Sequence, residues 1–276
     1  MMRTSIRLLS DGVIKFDGGA MFGQIPKATW ESRVSVDRKN RITMGLNCLL
    51  LQCADKNILI DAGVGSKEMN GMREEYGIQP SRLLKGLKDI GLTSKDIDVV
   101  VLTHLHFDHS GGCTRLDRAG NLVPTFSRAT YYVQKQCWEE ANNPNERCKC
   151  SYRPEDFRPL SERGQLVLLD GDTEILPGIW CKVTNGHTQG HQIVVIKHGG
   201  ERIAVMGDLV PTAYHLDLSC IPAFDRVPEE TYEQKRELLD QAEKDGWLLV
   251  FSHGYDHKAG YLERRSGHRY LRPVEI

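Results

Sequence analysis

Four side chains able to bind a metal fall within six positions in Thr103-His104-Leu105-His106-Phe107-Asp108-His109-Ser110-Gly111-Gly112. In an extended or turning segment alternate side chains point the same way, so His104 and His106 can share one metal. Asp108 and His109, further round the turn, then face a second metal nearby. Ser110, Gly111 and Gly112 are small enough to let the backbone bend and start a helix. One histidine alone is more often a structural residue. Four candidates at this spacing, delivered by an apolar run, form a motif with a mechanism behind it.

Three later positions extend the set. His187 sits in the Gly-rich turn Thr184-Asn185-Gly186-His187-Thr188-Gln189-Gly190-His191, Asp208 follows Ile203-Ala-Val-Met-Gly207, and His253 follows Leu248-Leu-Val-Phe251. Each is weak alone, since an Asp or His after a strand is common. Together they make seven nitrogen and oxygen donors with no thiolate, a set that suits two divalent ions, with zinc favoured over iron, cobalt or manganese. Two three-ligand sites sharing one carboxylate leave positions open for water and substrate. That is a catalytic arrangement rather than a closed structural one.

The elements around these residues must present them at strand ends. The first half carries strand signals at Ile6–Leu9, Val13–Phe16, Arg33–Val36, Ile42–Cys53 and Asn57–Ile60, punctuated by Gly and Asp. A helix is expected over Pro80–Ile90, closed by Gly91, and the buried strand Asp98–Thr103 runs directly into His104. In the second half, Tyr131–Gln134 reads as a strand, Lys135–Ala141 as a short helix and Asn142–Pro159 as a long polar loop. Strands follow at Leu166–Leu169, Ile179–Thr184, Gln192–Lys197, Arg202–Met206 and Trp247–Phe251. Pro228–Asp245 is the clearest amphipathic helix, with Tyr232, Leu238 and Leu239 inward. The order predicts two sheets packed together with helices outside, as one domain spanning residues 1–276.

Composition narrows the function classes. An apolar share of 40% with 26% charged residues is that of a globular chain with a full core. Lys and Arg number 36 against 37 Asp and Glu, for a net charge of −1, so the broad positive field that nucleic-acid binding needs is missing. The run from Met1 to Arg7 lacks the apolar centre of a signal peptide, and no later run approaches membrane-spanning length. A cytosolic protein without nucleic-acid or membrane partners is expected, with a homodimer left open. Eight scattered cysteines are not a disulfide scaffold, and Cys148-Lys-Cys150, the one tight pair, reads as free thiols in a loop.

The His-x-His-x-Asp-His motif, the Gly-His-Thr-x-Gly-His turn, the Gly-Asp after a strand and the final His together resemble the metallo-β-lactamase superfamily, from about Leu46 to His253. The resemblance implies an α+β fold, an αββα four-layer sandwich of two mixed β-sheets packed face to face with helices outside and metals at one edge. It implies one metal on His104, His106 and His187, the other on Asp108, His109 and His253, with Asp208 bridging. Within the superfamily, Asp17-Gly-Gly-Ala-Met-Phe-Gly23 and Gly207-Asp-Leu-Val-Pro-Thr212 look most like the branch containing N-acyl homoserine lactonases. The implied activity is hydrolysis of an ester-like carbonyl, a lactone first, by a hydroxide bridging the two metals. Asp108 is then placed to accept or relay the proton. A thioester hydrolase resembling glyoxalase II is the alternative enzyme, and a metal- or ligand-binding scaffold is the alternative outside catalysis.

Those lactonases carry a tyrosine three residues after the bridging Asp, where this chain has Pro211; Tyr214, three further on, is the candidate to assist the oxyanion. Asp61 is given a supporting role by the resemblance, bonding the metal-binding loops. His191 is expected to support the site without being a ligand, and His215 to approach it. Met21, Phe22 and Trp30 are expected to line the pocket or fill the core, and His198, His257 and His268 to be surface residues.

Overall fold

The computed structural model describes residues 5–53, 55–67, 71–198, 200–265 and 268–276. The side chains of His198 and His268, and the first four residues, lie outside the described residues.

Alternation within short apolar strands builds the layers. In the strand Val99–Val101, Val100 turns to one side and joins Leu83, Leu87, Cys137, Phe157 and Leu160 of three helices. Its neighbours Val99 and Val101 turn to the other side and join Ile179, Val194, Val205 and Val250 of a second sheet. Both faces of the strand are therefore buried, as its unbroken run of valines requires. The second sheet repeats the pattern: Val205 and Val250 face the first sheet, while Ala204 and Leu249 meet Leu239 and Ala242 of the helix Pro228–Asp245. Helix, sheet, sheet and helix thus form the αββα sandwich.

Among the described residues, the first sheet has six strands in the spatial order Ser5–Asp17, Arg41–Cys53, Lys56–Ile60, Val99–Val101, Thr130–Gln134 and Leu166–Leu169. Its first three are antiparallel and the rest parallel. The second has seven, in the order His268–Pro273, Ala259–Arg265, Leu248–Val250, Glu201–Val205, Gln192–His198, Ile179–Val183 and Thr173–Leu176. One parallel pairing, Glu201–Val205 with Leu248–Val250, makes that sheet mixed too. No described helix is long and apolar enough to cross a membrane.

Several expectations needed correction. Ile6–Leu9 and Val13–Phe16 belong to one long strand, irregular between Ser10 and Gly12, where Asp11 turns inward. Arg33–Val36 forms no strand beyond a single bridge from Val36 to Ile42. The loop expected over 142–159 contains most of the helix Pro154–Glu162. Pro159 hid that helix. Lacking an N–H, it leaves the Glu155 carbonyl without its helical donor, and the Thr114 hydroxyl donates to that carbonyl instead at 2.7 Å. On the helix Pro228–Asp245 the inward face holds Thr231, Lys235, Leu239 and Ala242, while Tyr232 is exposed. Lys235 is drawn in because its ammonium donates to the carbonyls of Asp217 and Cys220.

Candidate metal centre

His104, His106, Asp108, His109, His187, Asp208 and His253 converge at one edge of the sandwich, and all seven are buried. His104 follows the strand Val99–Val101, Asp208 follows Glu201–Val205 and His253 follows Leu248–Val250. Asp108 and His109 lie on the short helix Phe107–Ser110, which the glycines let sink into the fold. A Cβ on Gly112 would collide with the carbonyl oxygen of Ala62. The Ala62 N–H donates to the His109 carbonyl at 2.8 Å, clasping this helix to the turn after Ile60.

The side chains gather into three overlapping groups whose ligating atoms lie within 4.8 Å of one another: His104, His106 and His187; His104, His109 and Asp208; and Asp108, His109 and His253. Asp208 stands between the halves. Its Oδ1 lies 3.3 Å from His109 Nε2 and 3.2 Å from His253 Nε2, while its Oδ2 lies 3.3 Å from His187 Nε2. Asp108 Oδ2 is 3.4 Å from His253 Nε2.

Whether these residues fit metal ions is decided by where their other atoms go. The His109 Nδ1–H donates to Asp61 at 2.9 Å, that of His187 to Asp225 at 2.8 Å, and that of His253 to the Gly45 carbonyl at 2.9 Å. His104 Nδ1 lies 3.1 Å from the Thr103 hydroxyl, which itself bonds Asp61, so its free lone pair is on Nε2. That Nε2 is buried and has no hydrogen-bond partner. The Nε2 atoms of His109 and His253 face one another at 3.1 Å, both with Nδ1 already committed as donor. Lone pairs aimed at common points, with four of the five rings fixed from behind, are what bound divalent cations require. The residues fit.

The local field agrees. Burial pushes His104 and His106 well below the ordinary histidine range, reinforced by neighbouring imidazoles, which keeps them neutral. Burial also opposes charge on His109, but Asp208, Asp61 and Asp108 outweigh it and raise the group well above its usual value. For Asp208, burial alone would raise the carboxyl; His253, His109 and His187 together hold it well below the usual range. The carboxylates thus draw positive charge into this edge.

Asp61 does brace the motif, accepting from the Thr103 N–H at 2.8 Å as well as from His109. It does so from a left-handed backbone, φ 57°, a conformation uncommon for a residue with a side chain. His191 also supports without entering the groups: its Nε2 accepts the Asp208 N–H at 3.0 Å. Burial, with His187 adding, pushes it down to about 3, so the ring is neutral and can accept. His215 is held away from the site, its ring nitrogens bonded to Thr212 and the Met21 carbonyl. Met21 lines the pocket, while Phe22 and Trp30 stack on each other in the core at 4.9 Å.

Tyr214 is not brought to the cluster. Thr212 caps the turn Ala213–Leu216, which swings the phenol outward, and its hydroxyl donates to Asp256 at 3.2 Å. It lines a separate hollow with Arg33, Asp217 and Tyr270. Two supports were missed in the sequence. Asp225 lies 38 positions from His187 and has no motif of its own. Tyr152 packs edge-on against His106 at 4.9 Å and donates to Glu140, from within the stretch read as a loop. The pocket over the cluster is a hollow of about 50 Å³, walled by Phe16, Tyr76, Phe107, Phe224, Pro222 and Cys150 above His106, Asp108, His187, Asp208 and His253.

An αββα sandwich with a two-part histidine–carboxylate cluster at its edge defines a class of metal-centred proteins. The family model of the metallo-beta-lactamase superfamily matches residues 43–253, and the chain belongs to that family. It is 29% identical over 161 residues to an N-acyl homoserine lactonase of a Bacillus species, a match covering 54% of this chain and 57% of that one; the chain thus spans just over half of that relative's length. A solved structure described as a probable metal-dependent hydrolase from Staphylococcus aureus superposes with a TM-score of 0.89 at 32% identity, covering 99% of this chain and 98% of that one. AidC, described as a dizinc quorum-quenching lactonase, superposes at 0.81 with 19% identity over 99% of this chain and 95% of its own, which establishes the shared fold.

Proposed function

We propose that this protein is a hydrolase of ester-like carbonyls, with a lactone as the leading substrate, working through two divalent metal ions of which zinc is the first candidate. The observation that carries the reading is Asp208, whose two oxygens face different histidine groups, the disposition of a bridging carboxylate. His104, His106 and His187 would hold one ion and Asp108, His109 and His253 the other, with Asp208 shared. When bound, such a pair supplies a water of lowered pKa and polarises the carbonyl. The chain's own residues would orient the reaction: Phe16, Phe107 and Phe224 wall the pocket with apolar rings, and Asp108, at its floor, would hold a proton during acyl–oxygen cleavage. The lactonase relatives and the dizinc neighbour support the same reading.

Elemental analysis of protein purified without added metal, followed by a panel of N-hexanoyl homoserine lactone, phenyl acetate, a thioester, a phosphodiester and a β-lactam, tests it. Two metals per chain and lactone or ester turnover far above the rest are expected. Phosphodiester cleavage alone would sink the carbonyl reading while leaving the fold untouched. We further propose a cytosolic location, since all eight cysteines stand as free thiols, as suits a reducing compartment.

A further inference from the structure

Tyr214 leaves open which group donates a hydrogen bond to the substrate oxygen that gains charge. Among the described residues the pocket is lined by one phenol, that of Tyr76. Its backbone is fixed on both sides: the Tyr76 carbonyl accepts the Lys15 N–H at 2.7 Å, and its own N–H donates to Met72 at 2.8 Å. Arg41 donates to the carbonyls of Glu74 and Glu75, pinning the preceding short helix. The ring sits edge-on to Phe16 at 5.6 Å and tilted against Phe107 at 5.5 Å. Phe16 in turn packs edge-on to His253 at 6.1 Å, and Phe107 directly precedes Asp108. Two aromatic rings that wall the cluster therefore also hold the Tyr76 ring at the pocket wall.

Its hydroxyl has no hydrogen-bond partner among the described residues, whereas that of Tyr214 is taken by Asp256. Burial, with Glu75, Cys150 and Asp108 adding, raises the phenol above its usual value, so it remains a donor at neutral pH. We propose that the Tyr76 hydroxyl is the donor this chain presents to the substrate oxygen, in the role the sequence suggested for Tyr214. This rests on the carbonyl-hydrolase reading. In the reaction the oxygen of water bonds to the carbonyl carbon, the acyl C–O bond breaks, and a proton from that water ends on the departing alcohol oxygen. Tyr76 lends a hydrogen bond while charge builds on oxygen and keeps its own proton.

The test compares Tyr76→Phe with Tyr214→Phe in full-length protein of measured metal content. The former keeps the ring between Phe16 and Phe107, so folding is undisturbed. With N-hexanoyl homoserine lactone, or phenyl acetate if that is faster, Tyr76→Phe should lower kcat by about 100-fold or more, with KM changed far less. A second readout is calorimetric binding of the open product N-hexanoyl-L-homoserine, weakened roughly 10-fold in Tyr76→Phe, as for one lost hydrogen bond. Tyr214→Phe should match wild type in both. Unchanged kcat and affinity in Tyr76→Phe, or the loss appearing in Tyr214→Phe instead, overturns the assignment while leaving the hydrolase reading intact. Wild-type protein that turns over no lactone or ester overturns both.

Discussion

The floor and the lip of the pocket are built on different plans. On the floor, His104, His109, His187 and His253 each have one ring nitrogen tied to the protein and the other aimed inward. The residues doing the tying, Asp61, Thr103 and Asp225, are themselves buried. At the lip, Phe224 and Cys150 are exposed, and the Tyr76 hydroxyl has no hydrogen-bond partner among the described residues. The floor is over-determined, as a site that must hold charges close together has to be. The lip's side chains are held mainly by ring packing. Floor changes should therefore alter metal content and stability, whereas lip changes should alter turnover and selectivity at constant metal.

Asp208→Ala breaks the floor at its centre and carries the largest expected effect. On the proposed two-ion centre, bound metal should fall below two per chain and turnover below detection, because the two oxygens of Asp208 face both groups. Two metals retained at full occupancy, by elemental analysis and anomalous scattering, would remove the bridging role. Behind the floor, Lys67 and Asp156 form a buried ion pair at 3.0 Å, and the Lys67 ammonium also donates to the carbonyls of Gly111 and Thr114 just beyond the motif helix. Lys67→Met strands a buried carboxylate and should cost about 3–5 kcal/mol in urea unfolding, most of it recovered by adding Asp156→Leu.

Smaller effects should separate the two halves of the floor. Asp225→Asn loosens His187, and Asp61→Asn loosens His109. Each should weaken metal affinity by roughly 10- to 100-fold in chelator competition, the usual scale for losing a group that orients a ligand. Asp225→Asn should release the ion of the His104, His106 and His187 group first, and Asp61→Asn the other. Equal loss from both positions in both variants would mean that the halves act as one unit.

The same contrast explains what was legible in the sequence. His104 to His109 share one turn, and Asp208 and His253 each follow an apolar strand, so short-range spacing revealed them. Asp225 was silent because its role exists only once the chain has folded back over His187, and Thr231, which donates to it at 2.6 Å, gives no local hint. Tyr152 was hidden because it lies in the stretch 142–159 that reads as a polar loop, the same reading that concealed most of the helix Pro154–Glu162. The C-terminal hairpin Ala259–Arg265 with His268–Pro273 was missed because its outward residues are mostly charged and leave little apolar alternation to detect. Tyr214 was chosen by counting along the chain from Asp208. The turn after Thr212 redirects it, and a count along the chain cannot register a change of direction.

The smallest expected effect belongs to Cys150 and tests whether that residue is a gate at the lip rather than part of the machinery. Its thiol is exposed and lines the pocket, whereas Cys48, Cys113, Cys137, Cys181 and Cys220 are buried, with burial raising each thiol. A thiol that is neither ligand nor donor to substrate can become a hydroxyl at little cost. Cys150→Ser should therefore stay within about twofold of wild type in kcat/KM, the equivalent of roughly 0.5 kcal/mol. Size at that position is another matter. A bulky maleimide on Cys150 should block turnover of wild type without releasing metal, because the hollow beneath it is only about 50 Å³. Cys150→Ser should be spared by the same reagent even though Cys53 and Cys148 remain partly accessible. Metal loss on labelling would instead tie Cys150 to the floor, and inhibition persisting in Cys150→Ser would move the gate to another thiol.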